Sequence, residues 1–123
     1  MDIDTMLSKC VELVKSAMFD CRDIHSLLSR IVDGKLYGHP EAACLGYFGC
    51  ASSKMAAAEV LYALVENNST RGDMTSAKVF GQYRLLEHEF LGAYAGNESY
   101  QHVFIFYDEL MRLLPDSLFD IGE

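Results

Sequence analysis

The run Arg84-Leu85-Leu86-Glu87-His88-Glu89 carries the side chains best suited to chemistry in this 123-residue chain. Arg84 and His88 are four residues apart, so they share one face of a helix. An imidazole can move a proton at neutral pH, and a guanidinium can hold an anion. The same spacing is also typical of a solvated charge pattern in which Glu87 and Glu89 face water, and we favour that interpretation.

Arg84 and His88 also resemble the Arg–His pair of HEPN ribonucleases, which are helical bundles, although the spacing here is shorter than in that family. This resemblance covers two positions only. It implies an alternative function, an enzyme that cleaves RNA with Arg84 and His88.

Other chemical motifs are absent from the sequence. No carboxylate lies three residues before any of the four histidines, as a helical carboxylate metal centre requires. The sequence contains no G-x-S-x-G, no Walker loop and no G-x-G-x-x-G. We therefore expect no metal, no cofactor and no catalytic residue.

The four cysteines, Cys10, Cys21, Cys44 and Cys50, form no Cys-x-x-Cys pair and lie in apolar helical contexts. This pattern predicts reduced, buried thiols in a cytoplasmic protein. The N-terminus carries acids where a signal peptide needs bases, and the longest uncharged run is too short to span a bilayer. Because the cysteine count is even, disulfides in a secreted protein are the alternative.

The formal net charge is −8, and six acidic residues but one arginine lie within residues 97–123. An acidic surface repels nucleic acid and anionic lipid and attracts basic protein surfaces. We therefore expect a protein partner with a basic surface, no direct nucleic-acid binding and no membrane.

With only two prolines, the chain favours long helices over a many-turn β fold. Apolar residues recur at steps of four and three from Ile3 to Ile31, which predicts one long first helix. Two helices with a bend near Phe19-Asp20 are the alternative. The predicted fold is an all-α, four-helix antiparallel bundle in a single domain, 1–123. The helices cover about 4–33, 41–66, 74–95 and 98–114, and a short acidic tail, 115–123, follows.

The second helix carries small residues at steps of four and three on one face, which we call the small-residue face: Ala42, Gly46, Gly49, Ser53, Ala56, Val60 and Ala63. Such a face allows a neighbouring backbone to come close. We expect it to pack in the middle of the bundle and so to offset the helix-destabilising effect of the two glycines.

Taken together, the sequence predicts a non-enzymatic protein-binding module, an acidic inhibitor or adaptor of the immunity, anti-defence or chaperone type. Its predicted partner surface combines acids and aromatic anchors of the fourth helix and tail: Glu98, Tyr100, Phe106, Asp108, Glu109, Asp116, Phe119 and Asp120. A structural homo-oligomer, such as a homodimer, formed through the first helix is a further alternative.

Overall fold

The helices of the computed structural model follow the predicted ones closely. The structure describes residues 2–32, 40–96 and 99–120. It contains four α-helices and a closing 3-10 turn: α1 (Ile3–Val32), α2 (Pro40–Asn68), α3 (Met74–Gly96), α4 (Gln101–Leu113) and the turn Leu114–Asp116. These helices pack together, and no strand occurs in the described ranges, so the predicted all-α bundle is confirmed.

Short polar residues define the helix starts. Asp2 caps α1, because its Oδ1 accepts a hydrogen bond of 2.7 Å from the backbone N–H of Thr5. Asp73 caps α3 in the same way, accepting from the backbone N–H of Ser76 at 2.8 Å. α1 is continuous through Phe19 and Asp20, so the alternative with two helices is wrong.

The fourth helix begins three residues later than predicted. α4 starts at Gln101, whose backbone N–H donates to Ser99 Oγ at 3.3 Å. Residue 98, where the fourth helix was predicted to begin, lies outside the described residues, as does residue 33, the predicted end of the first helix. Pro115 lies in the 3-10 turn that ends α4, as its missing N–H predicts.

Sequential helices run antiparallel, as ring contacts show for α2 and α3. Near the start of α2, Phe48 stacks on Phe90 of α3 with ring centroids 4.5 Å apart. Near the end of α2, Tyr62 packs against Phe80, close to the start of α3, at 5.6 Å. α4 closes the bundle against α1, where Tyr107 stacks on His25 at 4.4 Å.

The apolar stripe of α1 is used inside the bundle. Seven of its members, from Leu7 to Leu28, are buried, and the six from Cys10 onward belong to one core that all four helices share. Ile3 is half-buried, and the side chain of Ile31 lies outside the described part. Because α2 covers this stripe, it offers no free seam for the homo-oligomer predicted through the first helix.

The prediction for α2 is wrong in its choice of face. Every residue of the small-residue face is exposed, with Val60 at 63%. A second stripe, two residues further along and with the same steps of four and three, packs into the core instead: Cys44, Phe48, Ala51, Met55, Ala58, Tyr62 and Val65. Ala51 and Ala58 supply the close helix contact with α1, where Cys10 Sγ donates to the carbonyl of Ala58 at 3.2 Å.

The two glycines of the small-residue face are therefore not packed against any residue of the described ranges. A Cβ added at Gly46 or Gly49 would meet no atom within 4 Å. Their cost to the helix, about 1 kcal/mol each relative to alanine, is not offset by packing here. Gly72 is different, because a Cβ there would lie 2.7 Å from Glu66 Cγ.

The described part of the tail folds back onto the bundle end. Phe119 is fully buried against Phe80 and Tyr62, with ring centroids 5.5 and 6.0 Å away. The backbone N–H of Leu118 donates to Ser76 Oγ at 2.9 Å, which fixes the tail to the first turn of α3. The tail is thus docked on the bundle end, and the ring of Phe119 is a part of the core.

None of the described helices combines the length and the apolar character that a membrane crossing requires.

Candidate functional site

The outward face of α4 joins an exposed apolar residue to two carboxylates. Ile105 is 52% exposed, and Asp108 and Glu109 follow it at three and four residues, which places them one turn along the same side. Arg112 is exposed on this side as well. We call this set the α4 face. It has the composition of a small contact surface, an aliphatic anchor beside charge.

Neighbouring side chains orient the α4 face. Gln82 of α3 donates from Nε2 to Glu109 Oε2 at 3.2 Å and to the carbonyl of Phe106 at 3.3 Å. Asp116 and Asp120 are exposed beyond the end of α4 and extend the acidic character toward the tail. The predicted carboxylates that the structure describes therefore lie on the surface, at one end of α4 and along the segment that follows it.

The predicted aromatic anchors occupy other places. Phe119 is completely buried, so its ring belongs to the core in this fold. Tyr100 is half-buried and stacks on Phe90 at 5.8 Å, and Phe106 is half-buried against the core. Glu98 lies outside the described residues. Ile105, which is not among the predicted anchors, takes the position of the exposed anchor, because it lies two residues from the buried Val103 and so on the opposite side of α4.

Arg84 and His88 lie on α3, and both are exposed. One guanidinium nitrogen of Arg84 donates to both carboxylate oxygens of Glu59 on α2, at 2.6 and 2.7 Å. Glu59 thereby balances the positive charge of Arg84 that would attract a phosphate. This salt bridge across two helices was not indicated by spacing within α3.

Beside that salt bridge, α2 and α3 border a cleft of about 260 Å³, whose lining includes Ser52, Tyr83 and Glu87. Burial is the main cause that raises the pKa of Tyr83 above its usual range, so the phenol stays protonated. Its hydroxyl lies 2.7 Å from Ser52 Oγ, which in turn donates to Glu87 Oε2.

Backbone donors beside Ser52 are not free, so this hydrogen-bonded row has no backbone oxyanion hole around Ser52. Ser52 lies in the interior of α2, where backbone N–H groups are already used by the helix. An acyl-transfer site needs free donors that stabilise the developing oxyanion beside the nucleophile. The row therefore satisfies the polar atoms of Ser52, Tyr83 and Glu87 at the α2–α3 contact.

The cysteines divide into two kinds. Cys10, Cys21 and Cys44 are buried, which confirms the prediction of buried thiols at these positions, whereas Cys50 is exposed, so the prediction that it is buried is wrong. All four are free thiols. Within residues 2–32, 40–96 and 99–120, no group of three histidine, cysteine or carboxylate side chains is placed to hold a metal ion.

No protein-family model, no curated protein and no solved structure matches this chain.

Proposed function

We propose that this chain is a non-enzymatic protein-binding module whose α4 face occupies a basic surface of a partner protein. The observation that carries the proposal is the exposed Ile105 with Asp108 and Glu109 one turn further along the same side of α4. This side lies within the most acidic part of the chain, where six acidic residues accompany one arginine.

The two kinds of side chain on the α4 face have different roles. Exposed carboxylates such as Asp108 and Glu109 steer a basic partner toward the surface and fix its orientation, and they act mainly on the association rate. Ile105 supplies the apolar area that is buried after the encounter. Because the charges are exposed, salt within the physiological range weakens the attraction.

A small acidic module of this kind acts by covering a basic surface that another molecule needs. The activity then belongs to the partner, and this chain inhibits, shields or recruits it. An inhibitor or adaptor of the immunity, anti-defence or chaperone type, acting in the cytoplasm, is the form that this proposal takes.

The test is a pull-down from host lysate with the tagged full chain, washed at increasing salt, with the double variant Asp108→Lys/Glu109→Lys beside the wild type. We expect a basic protein that the wild type retains at low salt and that the double variant loses. Helix content and melting temperature should be unchanged, because both carboxylates are exposed.

The matched control is Glu12→Lys/Asp23→Lys, which makes the same change in net charge at two exposed positions of α1. This control should retain the partner. If the two double variants lose it equally, the attraction follows net charge and not the α4 face. If neither loses it, the partner binds elsewhere and the proposal is wrong.

A further inference from the structure

The exposed apolar side chains are concentrated on two helices. Among the described residues, ten large hydrophobic side chains are exposed, and eight of them lie on α2 or α3, with Met74 at 77% and Val60 at 63%. Single exposed hydrophobic residues are ordinary, but Leu45, Val60 and Leu64 fall on one side of α2, and such a concentration marks an interaction surface. This side is separate from the α4 face.

The same side carries helical glycines that face open space. A Cβ at Gly49 of α2, or at Gly81 or Gly92 of α3, would meet nothing within 4 Å. Glycine weakens a helix interior, and no contact within the described part of the chain compensates for that cost at these positions. A ridge of glycine and alanine lets the backbone of another helix come close. Packing against a helix of a second molecule therefore offsets the cost of these glycines.

The charge distribution on this side favours a second copy of the chain as the molecule that packs there. The small-residue face, from Ala42 to Ala63, contains no charged residue, and residues 67–96 carry three basic and three acidic side chains. At the junction of α2 and α3, Arg84 and Glu59 neutralise each other. Two copies of a chain with net charge −8 repel each other least when they meet on this side.

The area of this side also approaches the area that a stable dimer interface needs. From Ala42 to Ala63, α2 extends for about 32 Å at 1.5 Å per residue. Two adjacent helices with axes about 10 Å apart present a width of about 20 Å. The product, roughly 600 Å² of flat surface per copy, approaches the ~800 Å² per partner of a standard interface, and side-chain relief adds to it.

We propose that a second copy of this chain packs on the α2–α3 surface, which we define by Leu45, Gly49, Ala56, Val60, Gly81 and Leu91. Steps of four and three residues over three heptads are the pattern by which helices pair side by side. Because the two copies use the same surface, the dimer has twofold symmetry. The α4 face remains free for the partner proposed above.

Sedimentation velocity of the full chain, over a dilution series from about 1 mM downward, tests this proposal. We expect a species of twice the monomer mass that dissociates on dilution. A chain that stays monomeric through the whole series overturns the proposal.

The variant Val60→Glu locates the interface. It changes an exposed side chain, and glutamate is at least as good a helix former as valine, so the monomer should fold normally. Twofold symmetry brings both introduced carboxylates into the same interface, and we expect the dimer to weaken by at least about 100-fold. Circular dichroism verifies the helix content.

The matched control is Ile105→Glu, which introduces the same side chain at a similarly exposed residue of α4. It should leave dimerisation unchanged. Equal weakening by both variants, or by neither, overturns the assignment of the interface to α2 and α3. If Val60→Glu does not fold, Gly49→Glu decides, because its side chain enters open space and adds helix propensity.

Discussion

The hydroxyl oxygens of Ser52 and Tyr83 lie 2.7 Å apart across the contact between α2 and α3. Tyr83 is only 3% exposed, so without this partner its hydroxyl would be buried without a hydrogen bond. Ser52 Oγ accepts a hydrogen bond from the Tyr83 phenol and donates one to Glu87 Oε2. Ser52 thus has a structural role in the interior of α2, which continues through it.

Replacing Tyr83 by phenylalanine should lower the free energy of unfolding by about 1 kcal/mol, the usual contribution of one hydrogen bond, because the ring and its packing remain. Urea denaturation measures this difference. Tyr94→Phe is the control, since Tyr94 is 39% exposed and its variant should be close to neutral. Equal effects of the two substitutions would show that the Ser52–Tyr83 hydrogen bond contributes nothing.

Replacing Phe119 by alanine should lower the free energy of unfolding by about 3–5 kcal/mol, because it opens a cavity beside Tyr62 and Phe80 and releases the tail. The urea midpoint measures the loss. Ile105→Ala is the control, and its exposed side chain predicts a change within about 0.5 kcal/mol. A loss below about 1 kcal/mol for Phe119→Ala would mean that the tail is not docked in solution.

Stability should fall when the pH rises above about 9. Burial raises the pKa of Cys10 and Cys44 to about 11, and that of Cys21 to about 12, from 9.0 for an exposed thiol. Above pH 9 the unfolded chain therefore loses protons that the folded chain keeps, so stability that is fully present below pH 9 is lost between pH 9 and 12.

Urea midpoints measured at a series of pH values check this alkaline loss. Cys21→Ala should make the decline less steep, because it removes one of the groups responsible. Cys50→Ala should leave the slope unchanged, since that thiol is exposed. An identical slope for all three proteins would contradict the assignment to buried thiols.

Thiol labelling should separate one cysteine from the other three. With a chromogenic disulfide reagent, the native chain should release one equivalent quickly, from the exposed Cys50, and all four only in denaturant. The buried thiols react only after local opening. Cys50→Ala should abolish the fast phase, and a fast phase that persists in that variant would place a second thiol at the surface.

Local features of the sequence were sufficient to predict the helices. Asp73 caps α3, Pro115 ends α4, and an unbroken apolar repeat defines α1. Each of these features acts within one or two helical turns, so residues close in sequence determine where the helices lie. Asp108 and Glu109 were predicted to lie on the surface for a similar reason, since a carboxylate without a buried cationic partner stays in water.

Tertiary packing alone decided the orientation of α2 and the place of Phe119. α2 carries two stripes with the same repeat, and the bundle buries the one with Phe48, Met55 and Tyr62 because those side chains remove far more apolar area from water than Gly46 or Gly49 does. Phe119 is buried because Phe80 and Tyr62, distant in sequence, leave a space at the bundle end that its ring fills. A repeat in one helix fixes which residues share a side, whereas the surrounding helices determine which side faces the core.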